Sequence, residues 1–70
     1  MPLPNETLGK RIARYRKDRL LTQVKLAAIT GLYPRYLSDV ETGRKIPSIH
    51  TLARLAAELR VTIGELVGKY

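Results

Sequence analysis

Arg35, Ser38, Asp39 and Thr42 stand at spacings of three, one and three in the stretch that follows Pro34. On an α-helix, with Leu37 set at zero, they fall at about 160°, 100°, 200° and 140°. They form one polar stripe. Val40, at about 300°, and Glu41, at about 40°, turn with Leu37 toward the body of the domain. The chemistry open to that stripe is hydrogen bonding to base edges. A guanidinium such as that of Arg35 donates two bonds to guanine O6 and N7, and a hydroxyl such as that of Ser38 pairs with several bases. Asp39 either accepts from a cytosine amino group or pairs with Arg35 at i, i+4 and fixes its rotamer. Arg35 lies in the first turn, the part of a groove-inserted helix that meets base edges. A solvated surface helix shows the same amphipathic pattern, so the stripe alone does not decide between the two.

The elements that must position this stripe are five short helices. The first is expected from about Glu6 to Arg19, with Asn5 as N-cap, Glu6 favouring the dipole, and Leu8, Ile12 and Tyr15 on one face. The second follows the hydroxyl cap Thr22, carries Val24, Leu26, Ala27 and Ile29, and ends at Gly31. Pro34 suits the first turn of the third helix, which runs to Glu41 or Thr42 and is stopped by Gly43. The fourth starts after Ser48 and carries Leu52, Leu55, Ala56 and Leu59. The fifth opens with Thr62-Ile63-Gly64-Glu65, the form of a capping box, and brings Leu66 and Ile63 to the core. Two helices flanking a glycine-containing turn, over about residues 22–42, are how a helix-turn-helix looks in sequence.

Composition narrows the partner. Seventy residues make one small domain, with residues 1–5 leading in, 6–67 forming the domain and 68–70 its end. Thirteen Lys and Arg against six Asp and Glu give a net charge of +7, which suits a polyanion. Lys10, Arg11, Arg14, Arg16, Lys17 and Arg19 crowd one stretch, and Arg44 and Lys45 follow Gly43. The chain has no cysteine, so neither a disulfide nor a thiolate metal site is available, and no metal or cofactor is expected. No apolar run approaches the ~20 residues of a membrane span. The start, Met1-Pro2-Leu3-Pro4-Asn5, lacks the features of a secretory signal, so a cytoplasmic location is expected.

The order Gln23-x2-Leu26-Ala27-x3-Gly31-x5-Leu37-Ser38-x2-Glu41-x-Gly43-x3-Pro47 resembles the phage repressor/Cro-type helix-turn-helix family, also called the xenobiotic-response-element type. Leu8-Gly9-x2-Ile12 before it, and Ile49 to Leu66 after it, extend the likeness over nearly the whole chain. The resemblance implies an all-α, compact five-helix lambda-repressor-like DNA-binding domain. It further implies that Tyr33, Pro34, Arg35, Ser38 and Asp39 face bases or nearby phosphates. Thr22 and Gln23 would hold a phosphate at a helix start, and Thr42, Gly43, Arg44 and Lys45 would grip the backbone of the same half-site. Ala27 would be the small residue at a helix crossing, and Arg16 and Glu41 would form a partly buried salt bridge. Three positions depart from the family pattern. Tyr33 stands where a small capping residue is usual, Pro34 leaves only apolar contact with a thymine methyl, and Leu20 stands where glycine often ends the first helix.

The implied function is a sequence-specific double-stranded DNA-binding regulator, repressor-like, acting as a homodimer on a palindromic operator. The alternative is an antitoxin-type module that holds a protein partner. An enzyme is not expected, because no carboxylate pair, nucleophile–base set or phosphate-binding glycine loop is present. No small-molecule effector is evident. His50 reads as an exposed polar residue, Tyr15 and Tyr36 as packing residues, and Val67 and Tyr70 as either a dimer contact or a chain end.

Overall fold

A computed structural model describes residues 5–68. Five helices follow one another: α1 (Leu8–Asp18), α2 (Gln23–Thr30), α3 (Pro34–Glu41), α4 (Ile49–Leu59) and α5 (Ile63–Val67). No strand occurs among the described residues.

Local chemistry explains where the helices begin. Thr7, Thr22, Ser48 and Thr62 each take an extended backbone, and each hydroxyl accepts from an amide three residues on. Such caps satisfy one of the amides that a helix start leaves without an intrahelical partner. At α5 the box is reciprocal, since Glu65 N donates to Thr62 Oγ1 at 2.9 Å and Thr62 N donates to Glu65 Oε1 at 3.0 Å. The bond from the Thr62 backbone N–H is the main cause that holds the Glu65 carboxyl below the usual carboxylate range, and the Thr62 side chain adds to it. The exception is α3, where Tyr33 offers no side-chain cap and Pro34 presets the first turn.

One boundary and one burial differ from the sequence expectation. The first helix starts at Leu8 behind Thr7, not at Glu6 behind Asn5. Glu6 instead turns its carboxylate onto Arg14, with Nε to Oε2 at 2.7 Å, and onto Arg11, with Nε to Oε1 at 3.2 Å. The Glu6 bonds hold the Arg14 guanidinium above its ordinary range. Ile63 is exposed, and only Leu66 of α5 enters the core. After α1, Leu20 adopts φ 58, the left-handed conformation in which glycine is common. The side chain tolerated there is 93% exposed.

The core gathers one apolar stripe from each helix: Ile12 and Tyr15, Leu26 and Ala27, Leu37 and Val40, Leu52, Leu55, Ala56 and Leu59, and Leu66. Backbones approach closely where α1 meets the C-terminal end of α3. A Cβ added at Gly9 would stand 2.4 Å from the carbonyl oxygens of Val40 and Glu41. Only glycine lets these two backbones meet. Ala27, completely buried, has the small volume expected of it.

Candidate nucleic-acid interface

The polar stripe of Arg35, Ser38 and Thr42 is carried on α3 and its C-cap, so what holds α3 decides the candidate site. Arg16 Nε donates to Glu41 Oε2 at 2.8 Å and Nη2 donates to Oε1 at 3.1 Å. Its remaining Nη1 donates to the Leu21 carbonyl at 2.7 Å, and Gln23 Nε2 donates to Glu41 Oε1 at 3.0 Å. Both partners of the pair are buried. A buried carboxylate needs such company, since an unpaired charge out of water is costly. One carboxylate at the end of α3 therefore ties α1, the turn after it and the start of α2 into a single frame.

On this frame the expected site residues separate into groups. Tyr33, Pro34 and Arg35 are exposed at the start of α3, and the Arg35 side chain is 82% accessible. Ser38, one turn on, is half-buried. Asp39 departs from the wheel, which put it on the open polar stripe. It is buried, its side chain only 11% accessible beneath Arg35, Arg44 and Lys45. Its carboxylate lies 3.6 Å from Arg35 Nε, 4.0 Å from Arg44 Nη1 and 3.8 Å from Lys45 Nζ. The wheel missed this because a helix diagram takes no account of side chains arriving from the loop beyond it.

That loop is wound back on α3. Gly43 N donates to Val40 O at 3.2 Å, while Arg44 N and Lys45 N both donate to Asp39 O at 2.8 and 3.2 Å. Gly43 takes φ 83, which supplies the left-handed step this closure requires. The Thr42 hydroxyl donates to Ser38 O at 2.9 Å. The loop amides and the Thr42 proton are thus engaged with α3 itself, and what the loop offers outward is the charge of Arg44 and Lys45. Lys45 also lies 5.7 Å from the Tyr36 ring centroid.

At the start of α2, the Thr22 hydroxyl accepts from Lys25 N at 3.0 Å. The Gln23 amide turns inward to Glu41, a role in the frame that adds to the phosphate contact expected of it. The helix start still presents its first backbone N–H groups and the positive end of its dipole.

Sequence reasoning missed Arg11. It counted among the basic residues, yet it is buried and donates to Leu66 O at 3.1 Å and to Glu6 O at 3.0 Å. It staples the segment before α1 to the end of α5. The signal was available, because Arg11 falls on the α1 wheel next to Tyr15 and Leu8, on the face turned inward. Val67 is half-buried against the core, and Tyr70 lies outside the described residues. Among the described residues no group of three metal-ligating side chains gathers, and no helix is long and apolar enough to cross a membrane.

Comparison with known proteins follows the same outline. A helix-turn-helix family model, HTH_3, matches residues 12–66. An immunity repressor of Bacillus phage phi105 is 43% identical over 63 residues, which are 90% of this chain and 44% of that protein. The chain thus spans less than half of that repressor's length. The ImmF control region 10 kDa protein of the same phage is 38% identical over 64 residues, 91% of this chain and 71% of that protein. Among solved structures, the biofilm master regulator SinR of Bacillus subtilis in complex with DNA superposes with a TM-score of 0.81 at 35% identity. That match covers 84% of this chain and 95% of the SinR chain. One of these relatives is thus named a repressor, and the SinR structure is that of a regulator bound to DNA.

Proposed function

Because this chain belongs to the helix-turn-helix family of phage repressor and Cro type, we propose that it is a sequence-specific regulator of transcription, repressor-like, that reads double-stranded DNA in the cytoplasm. The recognition helix α3 enters the major groove. Two copies act on a palindromic operator, with their α3 helices about one helical turn, ~34 Å, apart. The observation that carries this reading is the exposed Arg35 at the start of α3, flanked by Arg44 and Lys45 and mounted on the buried Arg16–Glu41 pair.

The work divides by residue. Arg35 donates to guanine O6 and N7, and Ser38 pairs with a neighbouring base. Tyr33 and Pro34 have no charge to offer at the mouth of the groove and make apolar contact, as with a thymine methyl. The helix start at Thr22 and Gln23 meets a phosphate through its backbone dipole. Arg44 and Lys45 neutralise phosphates of the same half-site, which supplies affinity without sequence information.

In vitro selection from random duplex DNA at near-physiological salt tests this. A palindrome with fixed half-site spacing is expected. Arg35→Ala should erase the preference at one base pair, a loss of about 1–3 kcal/mol of discrimination. Arg44→Ala should weaken all sequences alike and reduce the salt slope by about one per protomer. A bound pool without consensus, retained only at low salt, would refute the proposal and direct attention to a protein partner.

A further inference from the structure

Asp39 does more than form the i, i+4 pair with Arg35 that its helix position offers. Its carboxylate lies within 4.0 Å of three cations, Arg35, Arg44 and Lys45, whose side chains are 82%, 72% and 57% accessible. Its backbone carbonyl accepts from the amides of the latter two. One residue therefore holds both the base-reading arginine and the two phosphate-binding cations, by side chain and by main chain together. The carboxylate itself is too covered to meet a base.

We infer that Asp39 is a positioning residue that raises discrimination between sequences by restraining these cations and by opposing phosphate attraction where no base match is made. The inference rests on the DNA-reading function proposed above. Two consequences give it physical content. First, the carboxylate confines the Arg35 guanidinium, so fewer wrong pairings are within its reach. Second, its negative charge offsets part of the local attraction for any duplex, leaving three cations and one anion at the face that meets phosphates. When Arg35 turns to a guanine, Arg44 and Lys45 still accompany Asp39.

The test compares the wild type with Asp39→Asn and Asp39→Glu. Selected and random duplexes are titrated, and Arg35 Nε–H mobility is followed by NMR in the DNA-free protein. Asp39→Asn should bind random duplex about threefold more tightly at near-physiological salt, with a steeper salt slope. Its contrast at the base pair read by Arg35 should fall about tenfold, without a change in the preferred base. Arg35 Nε–H should become more mobile. Asp39→Glu keeps the charge and should leave affinity for random duplex at the wild-type level. A change in Asp39→Asn to a different preferred base would overturn the inference, since Asp39 would then be reading that base. Unchanged Arg35 mobility, or Glu behaving as Asn, would overturn it as well. A wild type with no sequence preference would overturn the proposed function and with it the discrimination assigned to Asp39, whereas unchanged Arg35 mobility in the DNA-free protein would overturn the inference with the function intact.

Discussion

Glu41 shows how much one side chain can determine here. Its carboxylate accepts from Arg16 twice and from Gln23 once, in a site that water barely reaches. Arg16→Ala would leave it buried with only an amide for company, so a loss of about 3 kcal/mol is expected in urea unfolding. The matching loss of DNA affinity would come from the misplaced α3. Leu20 makes a different case. It holds a left-handed backbone while its side chain contributes almost no burial, so Leu20→Gly should stabilise by about 0.5–1 kcal/mol, read from the same transitions. Glu65 gives a pH signature. Its folded pKa lies below the ordinary value of 4.5, so its contribution is present above that value and is lost as pH falls through the lowered one. The thermal midpoint should therefore decline below about pH 4.5 in part through this box. In Glu65→Gln, which keeps a capping side chain without a titrating proton, that part of the decline should vanish.

At the scale of elements, the crossing of α1 with α3 is set by the absence of a side chain. Gly9 meets the last carbonyls of α3, and backbone atoms cannot yield as a flexible side chain does. Gly9→Ala should cost at least about 2–3 kcal/mol by overpacking, measured in urea unfolding. The helix caps divide in a way that bears on the site. Four helices carry a hydroxyl cap and α3 does not, so α3 depends on Pro34 at its start and on Glu41 at its end. Held mainly from its far end, α3 keeps its first turn exposed. Replacing Tyr33 by Ser should add a cap worth about 1 kcal/mol, detectable as a raised thermal midpoint.

For the molecule as a whole, charge and size govern behaviour. The described residues fit within 28 × 23 × 22 Å, and so small a core leaves modest stability. A cognate duplex that binds only the folded chain should raise the thermal midpoint, and at 100-fold excess over Kd the stabilisation is about 2.7 kcal/mol. The acidic residues Glu6, Glu41 and Asp39 all face arginines or a lysine within the domain. Most of the net +7 is consequently presented by cations at the surface. Affinity for any duplex should fall steeply as salt rises, whereas the preference among sequences proposed for Arg35 and Ser38 should fall less.

Local signals in the sequence already determined the five helices and most of their ends. Hydroxyl caps, Gly31 and Gly43, and apolar spacing act within a few residues, so they are legible without a fold. The spacing of Gln23, Gly31 and Glu41 likewise placed the helix-turn-helix. Tertiary structure alone decided what lies between distant segments. It put Arg11 against Leu66, 55 positions away, moved Glu6 from a helix dipole to a pair of arginines, and closed the Gly9 crossing. It also buried Asp39 beneath cations from its own helix and from the following loop. The physical reason is the same in each case. Helical periodicity records which face a residue occupies, but burial and charge pairing depend on which side chains reach that face from elsewhere.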